Sequence, residues 1–411
     1  MNHPNEIKEL IYIIKKILHK QNDPYAYRED IDYGVLFMLA NKNSIANTVA
    51  GAICSNDRIN DSVKKQFERS RYLIITQQVL CNNALQALFE KLDDHKTPGL
   101  FLKGTVLKHL YPNPYLRSMS DVDVFSEESN MKEIHSIMIN DGYTTGVIGF
   151  GNHYEYLFQK MVKVEYHPEL VALDSEYGRK VFTKLHPDAL SIASYMDIWN
   201  HSLPIDNHEY ARQLTPEYHY LYVIMHMMNH FLTAGTGIRS VMDVWVMNDH
   251  YAKMWDRCLI ERLLSDYGLL TFEQYALALA DKWFDLEGLR YLPRNIDSQV
   301  LEQYEDYILE SGTYGTVKNS ITRQMEHRTN SISKVKYLMS RFFLPYKEMK
   351  RIYPIVEKYP VILPAMWFYR TYEIFKKRGK SAKYKMNTVL KADEKAALRQ
   401  KKLMNQMIEK G

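Results

Sequence analysis

The sequence predicts an α+β fold: a small mixed sheet flanked by helices, with helical N-terminal and C-terminal regions. Three observations carry that reading. Apolar residues recur at helical spacing from residue 5 to about residue 94, and again from about residue 187 onward. Between those stretches the pattern shortens to brief apolar runs punctuated by Pro and Gly. Within that middle part the order strand, helix, strand, helix, hairpin, strand predicts a sheet of roughly five short strands with helices on one face.

The elements follow in order. "NEIKELIYIIKKILHK" (5–20) forms an amphipathic helix, helical character continues through 32–53, and "YLIITQQVLCNNALQALFEKL" extends a long helix to residue 92. Pro98 and Gly99 stop it. "LFL" is a short buried strand leading into Lys103-Gly104, and "TVLKHLY" is a brief helix. Pro112 and Pro114 forbid regular structure in the next turn. "DVDVF" is the second strand. "SEESNMKEIHSIMINDG" is a helix with Ser126 or Ser129 as N-cap and Gly142 as its stop. "YTTGVIGF" and "HYEYLFQK" form a hairpin around Gly149–Gly151, and "MVKVEYHPEL" adds a further strand. The chain thus divides into a helical region (1–95), a sheet core (96–186), a helical substrate-side domain (187–310) and a helical basic region (311–411).

With 411 residues, 46% hydrophobic and 25% charged, the composition is that of a globular chain with a sizeable core. No apolar run is long enough to cross a membrane. The start, "MNHPNEIKEL", lacks an apolar signal core, which together with three scattered cysteines leads us to expect a reducing, cytoplasmic setting. Cys54, Cys81 and Cys258 have neither disulfide nor zinc spacing. Charge is uneven: from Thr371 to Gly411 there are twelve Lys/Arg against four Asp/Glu. That tail is either a solvated helix or an attraction for nucleic acid or anionic lipid. The aromatic-rich stretch 352–375 either docks on the helical body or touches a membrane surface.

The chemistry gathers around "LFLKGTVLKHLYPNPYLRSMSDVDVF". In a strand, residues two apart share a face, so Asp121 and Asp123 project together while Val122 and Val124 face the core. Two ionised carboxylates that close repel each other, and a divalent cation removes the repulsion. The same alternation on "VKVEYH" puts Lys163, Glu165 and His167 on one face. If the two strands are neighbours, Glu165 completes a triad of acids suited to two-metal phosphoryl or nucleotidyl transfer. Upstream, Lys103, Gly104 and Thr105 form a tight turn into a helix. Such a turn offers backbone N–H groups, a hydroxyl and a cation to phosphate oxygens, and Arg117 could add charge.

Together these features make the sequence resemble the DNA polymerase beta-like nucleotidyltransferase superfamily. Its signature is a strand, a Gly-Ser turn, a helix, Asp-x-Asp on the next strand and a later third acid. Gly104-Thr105 stands at the Gly-Ser turn, Asp121 and Asp123 at the metal pair, and Glu165 at the third acid. Lys103, Tyr111, Arg117, Ser120, His167, His226, His230, "GTGIR" and Asp243 also resemble a bacterial group known as nucleotidyltransferase family proteins. That likeness spans roughly residues 70–310. It implies a nucleotidyltransferase sheet, Mg²⁺ (or Mn²⁺) on Asp121, Asp123 and Glu165, and a nucleoside triphosphate held by Lys103, Gly104, Thr105, Arg117 and Ser120. The implied reaction is metal-dependent transfer of a nucleoside monophosphate with release of pyrophosphate; the large flanking helical regions lead us to expect a small-molecule or glycan-precursor hydroxyl as the acceptor. Gly-Thr for Gly-Ser, and a long gap before the acid pair, are its departures from the superfamily pattern.

His226 and His230, four apart on a helix, have three readings: zinc ligands, packing groups, or the lining of a substrate cleft beside His167, Arg239 and Asp243. Rival functions are a nucleotide-sugar glycosyltransferase using Asp-x-Asp, a catalytically inactive nucleotide- or protein-binding module, and an antitoxin-type enzyme that modifies a partner protein.

Overall fold

The computed structural model describes residues 3–21, 23–145, 153–284, 296–313, 315, 319, 334–390 and 394–408. It is α+β, with one seven-stranded mixed sheet between helical N-terminal and C-terminal regions.

Four helices open the chain: α1 (Pro4–Leu18), α2 (Tyr33–Lys42), α3 (Ala46–Cys54) and the long α4 (Asp61–Asp94). Asp32 caps α2 and Asn60 caps α4, each side chain accepting free N–H groups of the first turn. The sheet then begins with β1 (Gly99–Phe101), the short α5 (Gly104–Leu107) and β2 (Val122–Phe125). After α6 (Met131–Asn140) come β3 (Thr144–Thr145), β4 (Tyr154–Phe158) and β5 (Val162–His167). β3 pairs antiparallel with β4, as the predicted hairpin requires, while its turn at Gly149–Gly151 lies outside the described residues.

Two expectations are corrected here. Neither Ser126 nor Ser129 caps α6. The Ser126 hydroxyl donates to the Pro98 carbonyl at 2.6 Å, tying β2 back to the start of β1. The sheet also gains two strands from a stretch predicted to be helical, β6 (Ser202–Ile205) and β7 (His208–Leu214), with Asp206 at positive φ in the turn. The order is β3-β4-β5-β2-β1-β7-β6. β7 pairs parallel with β1, covering an edge that three-residue β1 would otherwise present to solvent.

Helices cover both faces of the sheet, not one as the sequence pattern predicts, because each face carries its own row of buried apolar side chains. Phe101, Val122, Val124, Val164 and Tyr166 point into a core shared with α4 and α6. Leu100, Leu102 and Phe125 point the other way, into a larger core. That core is helical. After short α7 (Thr183–Leu185) and α8 (Ile192–Met196) it is built by α9 (Pro216–Thr233), α10 (Ile238–Tyr251), α11 (Arg257–Asp266), α12 (Leu270–Phe284) and α13 (Ser298–Ser311). The N-terminal α1–α3 share the same core, so chain ends far apart in sequence pack together. Beyond residue 333 lie α14 (Lys334–Phe342), α15 (Tyr346–Ile352), α16 (Ile355–Lys358), α17 (Leu363–Leu390) and α18 (Glu394–Met407). The stretch 352–375 supplies its own small cluster, in which Val356 packs with Leu344, Met349 and Trp367.

Candidate active site

Strand alternation builds the site. On β2 and β5 the valines and Tyr166 are buried against α4 and α6, so Asp123, Lys163, Glu165 and His167 project from the opposite face, toward α9. β2 and β5 run parallel with Asp123 directly beside Glu165, and β4 pairs antiparallel with β5 so that Glu155 lies on the far side of Glu165. Three carboxylates therefore stand in a row across three strands.

Basic side chains hold this row in place. Lys103 donates to Asp123 Oδ1 at 2.9 Å, and His167 Nε2 lies 3.0 Å from the same oxygen. Lys163 sits among the other acids, 3.3 Å from Asp121 and in direct contact with Glu165. Burial opposes the charge on Asp123, but Lys103 and His167 outweigh it and hold the carboxyl well below the usual carboxylate range. Burial likewise opposes the Lys103 ammonium, and Asp123 more than offsets it, raising its pKa. Asp121 precedes β2 and accepts from the Ser120 hydroxyl at 2.9 Å.

The turn before α5 is set close by. The Leu102 N–H donates to the Asp123 carbonyl at 3.0 Å, and Lys103 takes a φ of 48° to swing the chain into α5. A Cβ on Gly104 would fall 2.5 Å from Arg117 Nη1, so the close approach of Arg117 demands glycine here. The Thr105 hydroxyl is buried with no hydrogen-bond partner among the described residues.

From the helical side, α9 presents Tyr222, His226 and His230 to this face. The two imidazoles meet with Nε2 atoms 2.9 Å apart. Burial and the neighbouring Lys103 ammonium push both pKa values down, His230 to about 4, so both rings are neutral at pH 7.

The remaining sequence candidates lie beneath the site. Arg117 engages Asp243 of α10 through two hydrogen bonds of 2.8 Å, and the Tyr111 hydroxyl donates to the same carboxylate at 2.7 Å. Arg239 donates to the Ser118 carbonyl at 3.2 Å. These contacts bolt the loop between α5 and β2 to the helical body.

Asp123, Glu165 and His167 each offer a ligand atom, all within 4.8 Å of one another, and His153, Glu155 and Glu165 form a second such trio sharing Glu165. Two carboxylates and one imidazole suit a divalent cation. His153 and Glu155 escaped the sequence reading. The signal was a His-x-Glu leading into one strand beside a Glu-x-His on the next, visible only once the β4–β5 register is known.

Neither a curated protein nor a solved structure matches this chain. The family model described as uncharacterised nucleotidyltransferase does match, over residues 29–285, reaching from just before α2 through the sheet to the end of α12. That span exceeds half of the 411 residues and contains every group just described, so the chain belongs to this nucleotidyltransferase family.

Proposed function

We propose that the protein is an active enzyme of the DNA polymerase beta-like superfamily, moving a nucleoside monophosphate from a nucleoside triphosphate to a small-molecule or glycan-precursor hydroxyl. The observation that carries this reading is Asp123 beside Glu165 on parallel strands, within reach of the Lys103-Gly104-Thr105 turn.

Asp123 and Glu165, with His167 or Asp121, would hold Mg²⁺ or Mn²⁺, which when bound offsets the charge of the phosphates. Lys103 would bind phosphate oxygens, and the Thr105 hydroxyl, which has no partner among the described residues, would supply a further donor. In the reaction, the acceptor oxygen bonds to the α-phosphorus as the bond from that phosphorus to the β-bridging oxygen breaks. Pyrophosphate leaves, and Glu165 takes the acceptor's proton. Neutral His226 and His230 line the acceptor side, where they can orient a hydroxyl without adding charge. Arg117, committed to Asp243, acts by holding Gly104 in position.

Incubation with α-labelled nucleoside triphosphates, Mg²⁺ or Mn²⁺ and a metabolite pool tests the proposal. We expect pyrophosphate release coupled to a labelled acceptor, and loss of both in Asp123→Asn and Glu165→Gln. One observation favours a second reading. Lys103 and Lys163 already neutralise the acid row, as in a module that binds nucleotide without transferring it. Tight nucleotide binding with no pyrophosphate release under any metal would favour that module, and release of a nucleoside diphosphate from a nucleotide sugar would favour a glycosyltransferase.

A further inference from the structure

We propose that the segment Lys334–Leu390 is a docking surface for an anionic membrane, on which the protein lies without crossing it. This goes beyond the nucleotidyl-transfer reading and stands independently of it.

The first observation is where this segment keeps its apolar residues. Its buried ones form two small clusters of their own, around Val356 and Met349 and around Tyr337 and Val389. Many others face outward in helical register. On α14, Val335 (71% exposed) and Met339 (52%) are one turn apart, with Phe343 a further turn on. On the neighbouring helix and its lead-in, Val361 (85%), Phe368 (64%) and Tyr372 (61%) follow the same spacing. The rings of Phe342 and Phe368 meet at 5.2 Å, so the two helices that carry these stripes lie against each other. Single exposed apolar residues are ordinary; two stripes on paired helices form a patch that marks an interaction surface.

The second observation is charge. Residues 334–390 hold fourteen Lys/Arg against three Asp/Glu. Arg341, Lys347, Arg351 and Lys358 are exposed among the apolar side chains. Such a balance selects an anionic partner. Lipid fits better than nucleic acid, because Val335, Met339 and Val361 are aliphatic and gain nothing from phosphates or stacked bases, whereas acyl chains bury them. Half-exposed Tyr359 and Tyr369 suit the headgroup layer, where one end of the ring is apolar and the other wet. The long stems of Lys and Arg let their charges reach headgroups while lying along the apolar stripe. Among the described residues no helix is long and apolar enough to span a bilayer, so the geometry is that of a helix pair lying in the surface.

Co-sedimentation of the full chain with vesicles tests this, comparing phosphatidylcholine alone with phosphatidylcholine mixed with phosphatidylglycerol. We expect binding to the mixed vesicles that weakens as salt rises and is at least tenfold weaker with phosphatidylcholine alone. Val361→Ser with Phe368→Ser should lower the partition at least tenfold. Lys347→Gln, Arg351→Gln and Lys358→Gln should each cost about fivefold. All five positions are exposed, and thermal melts identify any variant that fails to fold. A control pair on α4, Tyr72→Ser with Leu73→Ser, removes equally exposed apolar surface outside the segment and should leave binding unchanged. Equal binding to both vesicle types, or an equal loss in the control pair, overturns the proposal. So does charge-dependent binding to an RNA oligonucleotide that the Val361/Phe368 variant retains, or self-association abolished by that variant without vesicle binding.

Discussion

Arg117 and Asp243 lie 126 residues apart in sequence, yet they bond through two parallel contacts of 2.8 Å, each side chain more than nine-tenths buried. The pair fastens the loop after α5, which leads into β2, to α10 of the helical body. A fork-shaped guanidinium against a carboxylate is the geometry in which a buried pair is both strong and directional.

Breaking one side of that pair leaves a buried charge without a partner. Arg117→Met or Asp243→Leu alone should therefore lose about 3–5 kcal/mol of stability in urea unfolding. The double variant should recover much of the loss. Strict additivity of the two single effects would refute the coupling.

Gly104→Ala tests the tight approach at the turn. Its methyl group would meet Arg117 Nη1 at 2.5 Å and the Met119 side chain at 2.7 Å. We expect about 1–3 kcal/mol of destabilisation from overpacking, together with weakened triphosphate binding in calorimetry. Wild-type binding in a folded variant would remove the turn from the phosphate site.

His219 supplies a pH dependence. Burial, with Arg117 nearby, pushes its pKa down to about 4. Between that value and an unfolded pKa of about 6.5, the unfolded chain binds the proton and the folded one does not. Stability is therefore complete above pH 6.5 and falls as pH drops toward 4, by on the order of 3 kcal/mol from this residue. His219→Leu should flatten that limb of the stability–pH curve, with the slope due to His226 and His230 remaining. An unchanged slope would contradict the assignment.

Lys163 is paired with Asp121 and Glu165, so a cation held by these acids would have to displace it. Lys163→Met should raise Mn²⁺ affinity roughly tenfold, equivalent to about 1.4 kcal/mol of relieved competition. It should also destabilise the metal-free protein through repulsion along the row. Titration followed by manganese paramagnetic resonance reads the first effect and thermal unfolding the second. Weaker Mn²⁺ binding in the variant would mean that the acids are not the cation site.

The local part of this organisation was open to sequence reasoning. The two-residue alternation in "DVDVF" and "VKVEYH" assigned Asp123, Glu165 and His167 to one face, because the apolar partners on the other face must be buried. The Gly104 turn and the helices α1–α6 were legible for the same reason, since their signals lie within a few residues of one another. The hairpin of β6 and β7 was not. "SLPIDNHEYARQL" has a mixed pattern, and it becomes strand because β1 offers it an open edge.

What the sequence determined by itself was the α+β class, the side of each strand that carries the acidic residues and the turn that precedes them, all consequences of periodicity and backbone sterics. Only the tertiary structure decided which candidates meet. It brought Glu155 and His153 next to Glu165, set His226 and His230 across from Lys103, and turned Arg117 away to Asp243. The reason is physical. A residue's local conformation depends on its neighbours in the chain, but a buried charge settles on whichever partner packing brings within about 3 Å, and no short stretch of sequence encodes that distance.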